Sequence, residues 1–121
     1  MTRHVLVIED DESFSDLVRE VLEMAGYEVT TSTSGFGVPS LVRRLNPCAV
    51  LVDLGLPYRP GTSVMAELKA DPRTRAVPVV ILTGMADALS GERRAQASKV
   101  LSKPISLEEL LDGIEQVAAA A

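Results

Sequence analysis

Short, unbroken apolar runs alternate along this chain with longer stretches in which apolar residues recur every three or four positions. The runs are Val5–Ile8, Val50–Val52, Val79–Leu82 and Val100–Leu101. They are β-branched or aliphatic and do not alternate with polar residues. Strands buried on both faces of a parallel sheet read this way. Tyr27–Thr31 is more polar and suits an edge strand. Between the runs, Phe14, Leu17, Val18, Val21, Leu22 and Ala25 follow the helical spacing, and Gly26 supplies a stop. Val38, Leu41, Val42 and Leu45 form a second stripe, ended by Asn46-Pro47. A third helix is predicted from about Thr62 to Ala70, ended by Asp71-Pro72. The last begins at Ser106, with Glu109 placed to complete a capping box. Met85–Ser98 is poor in large apolar residues and contains Gly91, so a short, mobile or weakly packed helix is predicted there. Strand and helix thus alternate five times. That order predicts an α/β, doubly wound, five-stranded parallel sheet with helices on both faces.

With 121 residues, one domain over 1–121 is expected. Aromatic residues are only 3% of the chain, so the core must be aliphatic. The formal net charge of −5 argues against direct nucleic-acid binding, which needs a basic field to displace counterions. The start, MTRHVLVIED, has too short an apolar run for a signal peptide, and no stretch is long enough to span a bilayer. One cysteine, Cys48, fits a reducing compartment. A cytoplasmic protein without membrane contact is expected.

The polar residues with chemical potential fall where the apolar runs end. Glu9-Asp10-Asp11 closes the first, Asp53 the third, Thr83 the fourth and Ser102-Lys103-Pro104 the fifth. In a parallel sheet these ends share one edge, where such folds bind ligands. Taken singly, each has a bland reading. The acids read as solvated loop residues, Thr83 as a helix N-cap, Lys103 as a surface lysine, His4 as a surface or edge residue, and Cys48 as a small residue near the start of the third strand with no redox role. Four chemical groups at four strand ends are harder to assign to chance. Glu9, Asp10 and Asp53 brought together would repel unless a cation balances them. Lys103 is one candidate, and a hard dication with oxygen ligands is another. His4 and Cys48 are lone residues and give no zinc cluster. An acidic pocket with Mg²⁺, a lysine and a hydroxyl suits phosphoryl transfer to a carboxylate.

On the segments VLVIEDDE, AVLVDLGLPYRPG, VPVVILTG and VLSKPI, the chain resembles the receiver domain of two-component response regulators over essentially its whole length. The spacing Asp53, Pro57, Gly61, with Thr83 thirty residues after Asp53, is the family's. The resemblance implies the flavodoxin-like strand order 2-1-3-4-5. It implies that Asp53 is the phosphoacceptor, and that Thr83 and Lys103 bind phosphoryl oxygens. It further implies that Asp10, Asp53 and the backbone carbonyl of Gly55 ligate Mg²⁺, with Glu9 acting through water. Mn²⁺ is the second ion that such a site would take. A cis Lys103–Pro104 bond also follows from the family. The implied donor is a sensor histidine kinase or histidine phosphotransfer protein. The downstream partner is an unidentified protein, met through the loop after the fourth strand and the fourth helix. The chain departs from the family at Val100, where an aromatic is usual, and at Pro60, before the loop glycine. The stretch from Thr83 to Lys103 is also slightly shorter than is typical.

Two other readings compete. One is a receiver-like interaction module that works without phosphate, favoured by Val100 and opposed by the intact acids, Thr83 and Lys103. The other is an aspartyl phosphohydrolase, opposed by Gly55 where a second acid would stand.

Overall fold

The predicted runs become five parallel strands: β1 (His4–Ile8), β2 (Glu28–Ser32), β3 (Ala49–Asp53), β4 (Val79–Thr83) and β5 (Lys99–Ser102). A computed structural model describes residues 3–56, 59–84, 89 and 91–120. The strands pair in the order β2-β1-β3-β4-β5, as the resemblance implied. Pairing is parallel throughout, with Val5 beside Val29 and Ala49, Val52 beside Ile81, and Ile81 beside Val100. The polar β2 lies at an edge, one residue later than its sequence pattern suggested.

Side chains on successive strand residues point to opposite faces, so each strand feeds two cores. Leu6, Ile8, Val50, Val52, Val79 and Ile81 join one. It is covered by α2 (Val38–Leu45) and α3 (Gly61–Ala70) through Val38, Val42, Val64, Met65 and Leu68. Val5, Val7, Ala49, Leu51, Val80 and Leu82 join the other. It is covered by α1 (Glu12–Met24) and α5 (Leu107–Ala120) through Val18, Leu22, Leu110 and Ile114. Burying one such Val, Leu or Ile side chain is worth about 1.5–3 kcal/mol against leaving it in water. Two layers of these contacts fix the sheet.

The helix ends are set by local chemistry. Asp11 caps α1 by accepting the Phe14 backbone N–H at 3.1 Å, and Gly26 ends that helix region with φ +98°. Ser106 accepts the Glu109 N–H at 3.1 Å and donates to the Glu109 carboxylate at 3.2 Å. Asp71, before Pro72, leaves α3 in an extended conformation. The fourth helix, α4 (Gly91–Gln96), is short and buries none of its side chains. The rest of the fourth inter-strand stretch, 85–88 and 90, lies outside the described residues, as does Pro57. No described helix is long and apolar enough to cross a membrane.

Candidate functional site

The carboxyl ends of β1, β3 and β4 carry Glu9, Asp53 and Thr83 to one edge of the sheet, as parallel pairing requires. Glu9 follows β1 directly and is buried, 3% exposed. Its backbone N–H donates to Ser32 O of the neighbouring strand at 2.9 Å, so its main chain is fixed to the sheet. Asp53 is the last residue of β3 and 6% exposed. Thr83 is the last residue of β4, 5% exposed. Among the described residues, the next helix starts at Gly91.

Oxygens from Glu9, Asp10 and Asp53 all lie within 4.8 Å of one another, and this is the one such acidic or metal-ligating trio among the described residues. Two of these acids are buried and Asp10 is exposed. Lys103, just past β5, points its ammonium into the group. Its Nζ lies 3.4 Å from Asp53 Oδ2 and 3.8 Å from Glu9 Oε2. The Lys103–Pro104 bond is cis. Lys103 also donates its backbone N–H to Thr83 O at 2.8 Å, which ties the β5 end to the β4 end.

One ammonium does not balance three carboxylates. The strain shows at Glu9, whose carboxyl is pushed up to about 7. Burial is the largest cause, and Asp53 and Asp10 add to it, while the Asp11 N–H and Lys103 pull the other way. Asp11 N–H meets Glu9 Oε1 at 3.2 Å. A buried carboxyl raised this far, in a cleft beside two other acids, is a site where a bound cation would restore the ionised form. The donors are hard oxygens on both buried and exposed acids, which suits Mg²⁺ rather than a softer metal. The donor set therefore fits the metal that the sequence suggested.

The loop after β3 is shaped around Asp53. The Gly55 N–H donates to Asp53 Oδ1 at 3.2 Å, which places Gly55 beside the carboxylate. Gly61 opens α3 against the back of the site. A Cβ there would lie 2.5 Å from the Asp53 carbonyl oxygen and 2.9 Å from Leu54 Cα. Only glycine permits this approach. Beside Asp53 a cavity of about 450 Å³ is lined by Leu54, Gly55, Thr62, Thr83, Gly84, Leu89 and Lys103. Hollows of about 490 and 520 Å³ lie instead at the amino-terminal edge, around Arg43 and Arg73 and around His4 and Cys48. They are as large but gather no group of hard oxygen ligands.

All five sequence-predicted side chains thus meet at one edge, with Gly55 beside them. Three neighbours were not foreseen. Leu89 is 5% exposed and walls the cavity, although its stretch is otherwise poor in large apolar residues. Thr62 lines the same cavity. Phe14 sets its ring 5.5 Å from the Lys103 ammonium. Its helical spacing signalled core packing and nothing more.

Comparison with known proteins gives a consistent result. The sequence matches the family model of the response regulator receiver domain over residues 5–115. It is 34% identical over 117 residues to the polar-differentiation response regulator DivK of Brucella ovis, covering 95% of each chain. It is 38% identical over 110 residues to the DNA-binding dual master transcriptional regulator RpaA of Synechocystis sp.. That match takes in 88% of this chain and 45% of RpaA, so the chain spans less than half of that regulator. Among solved structures, a response regulator from Chloroflexus aurantiacus superposes with a TM-score of 0.88 at 27% identity, covering 98% of this chain and 99% of the other. The receiver domain of a sensor histidine kinase from Pseudomonas aeruginosa was solved with a magnesium ion coordinated in its active-site cleft. It superposes with a TM-score of 0.84 at 28% identity, again covering 98% and 99%.

Proposed function

The chain belongs to the response regulator receiver domain family, and from that premise we propose that Asp53 is the phosphoacceptor of a two-component phosphorelay. A carboxylate oxygen of Asp53 attacks the phosphorus of a phosphohistidine on a sensor kinase or phosphotransfer protein. The O–P bond forms as the P–N bond breaks, and the electron pair stays on the imidazole nitrogen. The product is an aspartyl acyl phosphate. Water later cleaves it to the free carboxylate and inorganic phosphate.

Each residue has a role set by its place. The Lys103 ammonium, already 3.4 Å from Asp53, neutralises a phosphoryl oxygen as charge builds on it. The Thr83 hydroxyl, on the same cavity wall, donates to another. Asp10, Asp53 and the Gly55 carbonyl would hold Mg²⁺, with Glu9 acting through water, and the ion would draw charge from the transferring group. Mn²⁺ suits the same oxygens. The new phosphoryl group adds roughly −1.5 to −2 of charge beside Thr83. The loop after β4 and α4 then favour a second arrangement, which a protein partner reads. The chain catalyses only its own phosphorylation and dephosphorylation, and residues 1–121 act as one cytoplasmic receiver unit.

The observation that carries this reading is the meeting of three carboxylates, a lysine and a threonine at one sheet edge. An interaction module without phosphate chemistry has no use for two buried acids held at such cost. Incubation with acetyl phosphate and Mg²⁺, read by intact mass, tests it. The native chain gains one phosphoryl group, and neither Asp53→Asn nor the native chain in chelator does. Uptake that survives in Asp53→Asn would move the acceptor elsewhere.

A further inference from the structure

Phe14 stands in the first turn of α1, where Asp11 anchors its backbone. Its ring is half-buried against the core layer formed by α1 and α5. The chain has two Phe, two Tyr and no Trp. One of these few rings faces the lysine at the candidate site, with Lys103 Nζ 5.5 Å from its centroid. The same ammonium has Asp53 Oδ2 at 3.4 Å and Glu9 Oε2 at 3.8 Å. It is therefore bounded by two carboxylates and by the electron-rich face of a ring. Lysine is a flexible stem carrying a point charge, and 36% of its side chain is exposed here. Carboxylates alone attract the charge without choosing one rotamer. A ring face adds attraction and occupies volume into which the stem would otherwise swing.

We propose that Phe14 is a positioning residue for phosphoryl transfer, its ring confining the Lys103 ammonium against Asp53. The inference rests on the phosphoacceptor reading above and assigns it one more participant. Phe14 touches no reacting atom and acts through Lys103. As the Asp53–phosphorus bond forms and the donor's bond to phosphorus breaks, charge builds on the phosphoryl oxygens. An ammonium already in place needs no reorganisation at that moment.

The test is the rate of phosphoryl uptake from acetyl phosphate with saturating Mg²⁺, in which acetate leaves with the electron pair of the broken P–O bond. Phe14→Leu and Phe14→Met keep an apolar side chain and lose the ring. Their maximal rate constant should fall about three- to fivefold, the scale of a partly exposed cation–ring contact. The half-saturating acetyl phosphate concentration should change little. Phe14→Tyr should stay near the native rate. In a Lys103→Ala background, Phe14→Leu should cost nothing more. The upfield displacement of the Lys103 side-chain protons by the ring should vanish in Phe14→Leu. Native rates in Phe14→Leu and Phe14→Met overturn the proposal. So does an equal slowing in the presence and absence of Lys103, or a Phe14→Tyr protein as slow as Phe14→Leu. If the native protein takes no phosphoryl group, the phosphoacceptor reading itself fails. A labelled native protein with an indifferent Phe14 removes this inference alone.

Discussion

The middle of the sheet and its β5 flank are made of similar residues but packed differently. β3 and β4 bury all five of their residues, between helices on both faces. β5 is half-exposed along Lys99–Leu101 and exposed at Ser102, and α4 beside it buries nothing. Asp53 and Thr83 stand on the packed strands, and Glu9 follows the equally buried β1 segment Val5–Ile8. Lys103 hangs from the looser one. The difference teaches a division of labour. Oxygen atoms that must keep a fixed spacing sit on rigid strands, while the parts that adjust to a new charge are held by few buried contacts.

The sharpest way to break this comparison is to cut matched residues. Ile81 and Val100 are register partners across β4 and β5. Ile81→Ala should cost about 3–4 kcal/mol in urea unfolding, because Ile81 is fully buried. Val100→Ala, from a half-exposed site, should cost about 1 kcal/mol and leave phosphoryl uptake intact. Equal costs would erase the contrast. Next in size is Gly61→Ala, whose Cβ would press on Asp53 O and Leu54 Cα. It should destabilise by about 2 kcal/mol and slow uptake at Asp53.

A smaller effect sharpens the electrostatic side. Folded Glu9 titrates near 7 against an ordinary 4.5. A carboxyl raised in the folded state holds its proton longer there than in the unfolded chain. Its contribution to stability is full below about 4.5 and is lost as pH rises through about 7. Metal-free protein should therefore lose stability as pH rises from about 4.5 to about 7 in thermal melts. Mg²⁺ should reverse the loss, since it binds the ionised form. Glu9→Gln should flatten the dependence. The smallest effect belongs to α4. Arg93 Nη1 of α4 donates to Thr62 O of α3 at a long 3.4 Å. Arg93→Ala should change stability by less than about 0.5 kcal/mol. The α4 amides should exchange with solvent orders of magnitude faster than those of β4.

Much of this was legible in the residues because burial on both faces removes polar alternation. β1, β3 and β4 were visible as apolar runs for that reason, and the site residues as the polar groups that end them. Boundaries were less legible. β2 carries no apolar run, and α3 begins one residue early, at Gly61, because a close backbone approach rather than periodicity decides its start. The roles of single side chains were least legible. Asp11 reads from the sequence only as part of the acidic run that ends β1, yet its side chain caps α1. Leu89 has no periodic partner to announce that it is buried. Nothing in the spacing marks Lys69, yet its ammonium donates to Val77 O at 2.6 Å and Arg75 O at 3.0 Å, and burial lowers its pKa. Such roles depend on contacts across the chain, which spacing does not encode.

One measurement bears most directly on where the chemistry lies. Amide spectra recorded with Mg²⁺ and a beryllofluoride mimic of the phosphoryl group should shift most at Asp10, Asp53–Gly55, Thr83–Gly84 and Lys103. Spectra that stay unchanged, or that move chiefly around Arg43, Arg73 and Val77 at the opposite edge, would contradict an acceptor at Asp53.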